Sequence, residues 1–264
     1  MGTRTKYLYL IAAGTFAFST GPDSSRRNIA VTRESSAAKS TGEAQTDRPG
    51  DGTVSGTVRV AGPQAETTRV DMAADPACLK THPAPLMSEE VATRANGALK
   101  NVIVYISDGL GNRAFDPPKE PAVFDQKGCS YNPHILGMRA GQTLTVTNSD
   151  PTTHNIHPVP QNNREWNMSQ PPGSPPIEQT FAREEIIPVK CNIHPWMRGY
   201  IAVFKHPYFA VTDRNGSFDL KNVPPGEYTI QAWHEKYGVL SQKINLKPNQ
   251  NQEVEFDFKP RAAD

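Results

Sequence analysis

Residues 212–235 read TDRNGSFDLKNVPPGEYTIQAWHE. The Asp-Arg-Asn-Gly and Pro-Pro-Gly clusters are turns, since Pro presets φ and Asn and Gly accept left-handed backbone. Between and after them, Ser217 to Leu220 and Tyr228 to His234 alternate apolar and polar residues, which is the period of a half-buried strand. The same rhythm continues outward. Upstream it predicts strands at Thr53 to Val60, Asn101 to Ser107, Gln142 to Thr147 and Tyr200 to Phe204; downstream, at Gln242 to Leu246 and Glu253 to Phe258. A short helix over Ser88 to Ala95 is the one helical expectation. The fold class is therefore all-β.

A chain of 264 residues suits two small domains, with part of the chain unpacked. Formal charge is +1, from 28 basic and 27 acidic residues, and no basic run is long enough to follow a phosphate backbone. Nucleic acid is excluded as a partner on that ground. Arg4 and Lys6 precede an apolar run from Tyr7 to Phe18 and small residues to Gly21, the pattern of a signal peptide over 1–21. A periplasmic or secreted chain with no membrane span after processing is expected. Residues 22–51 are nearly devoid of aromatic and branched apolar side chains and read as a disordered tether. The polar, proline-rich stretch between Val159 and Thr180 is too long for a bare connection.

Chemistry concentrates in VKCNIHPWMRG at 189–199, where Cys191, His194 and Met197 stand at i, i+3 and i+6. A soft thiolate with imidazoles selects copper or zinc over hard cations, and a thioether tips the choice to copper. TLTVTNSDPTTHNIHP at 143–158 supplies His154 or His157 as a second imidazole. Three residues apart on an extended segment, the two face opposite ways, so only one can point at the metal. The other histidines have no such spacing; His134 and Met168 are the secondary candidates.

HNIH followed at a distance by CNIHPWMRG resembles the cupredoxins, most closely the short-loop amicyanin type, over about 98–205. The resemblance implies a Greek-key cupredoxin β-sandwich in which His154, Cys191, His194 and Met197 hold one type 1 copper ion. It further implies that Asn155 ties the ligand loops together and that His157 is a neighbour rather than a ligand. His194, flanked by Pro195 and Trp196, would be the solvent-facing electron port, with Trp196 either docking surface or core. The implied function is single-electron transfer with a redox protein such as a c-type cytochrome or a periplasmic dehydrogenase. The long proline-rich insertion after the first histidine, His154, and the IIPVKC lead into the cysteine depart from the family. Of three cysteines, one is left over if Cys78 and Cys129 form a disulfide, and the copper reading requires that one to be Cys191.

Residues 207–260 resemble the carboxypeptidase regulatory-like, or transthyretin-like, β-sandwich modules, and GTVSGTVRVAG at 52–62 resembles their first strand. The expected organisation is thus a first strand and connecting segment at 52–97, a copper domain at 98–205 and a small sandwich at 206–264. If the 52–62 and 207–260 pieces belong to one module, the copper domain is inserted into that sandwich. Copper delivery and adhesion are the alternative functions. No G-x-S-x-G, H-E-x-x-H or phosphate-cradling glycine loop points to an enzyme.

Overall fold

The computed structural model describes residues 51–62, 67–82 and 84–260. The expected signal peptide and nearly all of the expected tether lie outside them. The described chain is nearly all β, in four sheets with one short helix. Two of the sheets form a sandwich from β1 (Gly52–Val60), β2 (Ile103–Asp108), β12 (Phe209–Val211), β13 (Ser217–Val223), β14 (Gly226–His234), β15 (Gly238–Leu246) and β16 (Asn251–Phe258). Their orders are β13-β1-β16 and β12-β2-β14-β15. Strict alternation builds this core: Val54, Val58, Phe218, Leu220, Val254 and Phe256 from one sheet meet Val104, Ile106, Tyr228, Ile230 and Ala232 from the other. First and last strands lie parallel, Thr53 opposite Asn251 through Val60 opposite Phe258. Gly56 permits this approach, because a Cβ there would sit 1.7 Å from the Val254 carbonyl oxygen.

The second sandwich comprises β3 (Ala122–Gln126), β4 (Tyr131–Asn132), β5 (Ile135–Arg139), β6 (Thr143–Asn148), β7 (His154–Pro158), β8 (Met168–Gln170), β9 (Ile177–Thr180), β10 (Glu185–Lys190) and β11 (Arg198–Phe204). Its sheets run β4-β3-β6-β9 and β5-β11-β10-β7-β8, around Phe124, Leu144, Val146, Ile156, Phe181, Ile187 and Ile201. The proline-rich stretch is not a bare loop: it carries β8 and β9, which extend one sheet each.

All nine of these strands lie in sequence between β2 and β12, which pair with each other. Residues 103–108, read from sequence as part of the 98–205 segment, hydrogen-bond to β12 and β14 of the other sandwich. The outer face of β11 packs on that sheet: Phe204 lies 4.8 Å from both Tyr105 and Phe209, and Tyr200 4.9 Å from Trp233, between ring centroids. Two hydrophobic cores are thus bridged by a third, centred on Ile103, Ala202 and Phe204.

The expected helix over Ser88 to Ala95 is absent. Thr93 pairs with Leu99 across an Asn96-Gly97 turn, with Gly97 at φ +82°, so the stretch belongs to a hairpin-like return. The helix is α1 (Pro76–Lys80) instead. Asp75 caps it by accepting from the Ala77 and Cys78 N–H groups (2.7 and 3.3 Å), and Pro76 stands where no N–H is needed.

Candidate metal centre

Strands β10 and β11 are paired up to Lys190 and Arg198, leaving residues 191–197 as the loop between them. That loop closes on itself: Cys191 N–H donates to Met197 O (3.1 Å), Met197 N–H to His194 O (2.9 Å) and His194 N–H to Cys191 Sγ (3.4 Å). Pairing of β7 with β10 through Val189–Pro158 and Lys190–His157 then sets His154 beside the loop. Cys191, His194, Met197 and His154 are all buried, His154 completely. Met197 belongs to the apolar core, and its backbone bonds root it between the cysteine and the histidine.

His154 Nδ1 and His194 Nδ1 are 3.0 Å apart, and Cys191 Sγ is 3.9 Å from His194 Nδ1. One donor atom from each of the three residues lies within 4.8 Å of the others. The remote nitrogens are committed elsewhere: His154 Nε2 to Asp150 Oδ2 at 2.7 Å, His194 Nε2 to Asp75 Oδ2 at 2.8 Å. A carboxylate only accepts, so each Nε2 carries a proton and each Nδ1 is turned inward toward the other ring. Two inward ring nitrogens 3.0 Å apart beside a sulfur, out of water, share a proton in the metal-free chain and could share a metal ion in its place. Metal–nitrogen bonds of about 2.0 Å and metal–sulfur bonds of about 2.3 Å suit donors at these separations.

The electrostatics agree. Burial raises the Cys191 thiol pKa, but His154 and the backbone N–H groups of His194, Ile193 and Asn155 outweigh it and lower the net value, favouring thiolate. Burial alone would lower the His154 pKa; Asp150 and Cys191 overcome this and hold it at about 9. Asp150 is itself kept below the usual carboxylate range against burial by His154 and by the N–H groups of Cys129 and Gly128. Asp75 is held low chiefly by His194.

Asn155 Oδ1 accepts from Asn192 N–H (2.9 Å), which joins the two donor-bearing segments, while its amide donates to Asn167 Oδ1 and to Met168 O (3.2 Å). His157 stands outside the cluster, bonded to Glu165 (2.6 Å) and Asn192 Oδ1 (3.2 Å). His134 pairs with Glu235 at 2.5 Å across the two sandwiches, and Met168 is exposed on β8. Neither joins the donors. Cys78 and Cys129 form a disulfide, leaving Cys191 the free thiol.

The expected open port is corrected. His194 is only 2% exposed, because α1 lies over it: Asp75 binds its Nε2, and Cys78 Sγ is 3.7 Å from the same atom. Pro195 is exposed and Trp196 half-buried, its ring 5.0 Å from His194 and packed against the apolar core. Sequence reasoning missed Asp150 and Asp75. The first sits four residues before His154 in a turn; the second was signalled only by an Asp-Pro pair at a helix start.

Residues 206–258 match the family model described as BOS complex subunit NOMO1-like, second beta sandwich domain. No curated protein matches the sequence. Among solved structures, a copper-containing nitrite reductase from Thermus scotoductus SA-01 aligns at 23% identity and TM-score 0.31, covering 37% of this chain and 25% of that one. This chain thus spans about a quarter of that enzyme. A novel purple cupredoxin from Nitrosopumilus maritimus aligns at 26% identity and TM-score 0.28, covering 31% and 99%. An oxidised amicyanin variant aligns at 21% identity and TM-score 0.30, covering 38% and 98%.

Proposed function

We propose that this chain is an exported single-copper protein that carries one electron at a time between redox partners. The observation that supports it most is the pair of imidazole Nδ1 atoms, 3.0 Å apart beside the Cys191 sulfur, with both Nε2 atoms occupied by carboxylates. Bound there, copper would supply reversible Cu(I)/Cu(II) chemistry, with Met197 as the weak fourth donor. The protein's part is to hold the donors still. The backbone bonds of the 191–197 loop, the Asn155–Asn192 link and the two carboxylates leave the donor set little freedom to rearrange between oxidation states. Four protein donors also leave no position for a substrate, which favours a carrier over an enzyme.

The Cys78–Cys129 disulfide fits an oxidising compartment outside the cytoplasm. Among the described residues no helix is long and apolar enough to cross a membrane. The partner we expect is a c-type cytochrome or a periplasmic dehydrogenase. Copper delivery is the second reading, and the burial of all four donors, with α1 over His194, weighs against ready release. Voltammetry of the copper-loaded chain separates the two: a reversible one-electron wave supports transfer, whereas loss of copper on each reduction supports delivery.

A further inference from the structure

The segment that covers His194 does not come from the sandwich that holds the donors. Residues 67–82 and 84–92, within the connection from β1 to β2 of the other sandwich, reach across to the donor loop. Met72 enters the donor sandwich's core, Cys78 is bonded to Cys129, and His82 Nε2 contacts Gly128 O at 2.6 Å. Cross-links within the segment keep it in shape: Arg69 pairs with Met87, Val70 N–H donates to Leu86 O (2.9 Å) and Ser88 N–H to Thr68 O (2.8 Å). Its apex is α1, whose N-cap carboxylate does two things at once. Asp75 Oδ1 accepts from the helix N–H groups, and Oδ2 accepts from His194 Nε2. The disulfide stands between the two imidazoles' remote edges, with Cys129 N–H donating to the same Asp150 carboxylate that binds His154.

We propose that residues 67–82, within the β1–β2 connection, form a disulfide-locked lid over the metal centre and that Asp75 is the positioning residue for His194. The inference rests on reading the donor cluster as a metal site. The lid fixes the ring with Nδ1 inward and seals its outer edge. Metal exchange therefore needs the lid to lift, and the Cys78–Cys129 bond opposes that. Both sulfurs are fully buried, so any thiol reaches the bond only during local opening, and a monothiol's mixed disulfide readily reverts. A dithiol opens it by exchange: one thiolate attacks a sulfur, the second closes the reagent's own disulfide, and Cys78 and Cys129 are left as two thiols. A redox partner meets the outside of the lid and the exposed Ile193 and Pro195, not a bare imidazole.

The test compares the wild-type chain, Cys78→Ser/Cys129→Ser, and Asp75→Asn. In metal-free protein, diethyl pyrocarbonate modification of His194 is followed by peptide mass, with buried His206 as control. The expected result is modification of His194 faster on the order of tenfold in the double-serine variant, as local opening requires, with His206 unchanged. Copper loss to a chelator should accelerate in parallel, and dithiol treatment of the wild type should reproduce both effects. Asp75→Asn should keep a thiolate-to-copper band while raising the reduction potential, since a carboxylate partner makes the imidazole a better donor to Cu(II). Equal rates at His194 in all variants, an unmoved potential, or a matching rise at His206 would overturn the lid. If the wild type binds no copper, the metal reading fails, yet the metal-free modification rates still decide whether the lid exists.

Discussion

Asp150 determines which nitrogen of His154 faces the sulfur. Replacing it with Asn should weaken copper binding by about 10–100-fold, the usual cost of losing a carboxylate behind a ligating histidine, while the Cys191-dependent absorption persists; metal titration against a competing chelator checks this. Because His154 holds its proton up to about pH 9 in the metal-free chain, copper binding at neutral pH must displace protons. Calorimetry in buffers of differing ionisation enthalpy should detect their release, and a buffer-independent heat would contradict the pairing. His206 and His234 act on stability. Burial pushes both down to about 4. His234 Nδ1 accepts from the Lys236 and Tyr237 N–H groups, so the second proton of a charged ring would face two donors. A histidine held neutral in the fold but charging near 6.5 when unfolded contributes stability that is full above pH 6.5. That contribution falls away as pH drops toward 4, by about 3 kcal/mol per histidine at most. Denaturant midpoints should fall steeply over that window, and less so in His206→Gln. The donor residues themselves stood out in the sequence because Cys191, His194 and Met197 share one short loop. Their carboxylate partners did not, since Asp75 lies more than a hundred residues away from His194 and an aspartate in a turn is unremarkable.

At the level of elements, alternation identified strands wherever one face is buried and the other wet, as in β14 and β16. It failed for β7 and β10. In β7 (HNIHP), His154, Asn155 and Ile156 are all buried, and β10 (EIIPVK) carries a proline, so neither shows a clean period of two. The helix in the connecting segment was misplaced for a related reason: its five residues are too few for a periodic signal, and only the cap chemistry of Asp75-Pro76 marks it. Gly56 gives a sharp test of the strand register. Gly56→Ala drives a methyl into the Val254 carbonyl, so the parallel β1–β16 pair must separate. We expect a loss of about 2 kcal/mol or more, seen as a lower Tm, with copper uptake intact below the transition. An unchanged Tm would mean that β1 does not lie against β16.

The described residues form one sandwich whose β1–β2 connection carries the segment over His194 and whose β2–β12 connection carries the second, donor-bearing sandwich. The all-β class was evident from turn and strand rhythm alone. Which strands pair was not, because β2 precedes the donor sandwich in sequence yet hydrogen-bonds to strands about a hundred residues later. A fragment of residues 206–264 lacks β1 and β2, so β13 and β16 lose the strand between them. It should show no cooperative unfolding transition, whereas residues 51–260 should unfold in one. A cooperative transition in the short fragment would show that β1 and β2 are dispensable to that sandwich. The central claim concerns the donor cluster, and its most direct test is the visible spectrum of the purified chain after addition of one equivalent of Cu(II), recorded beside Cys191→Ser. An intense thiolate-to-copper band in the native chain, absent from the variant, is the predicted result; no band, or a band that survives loss of the sulfur, would contradict it.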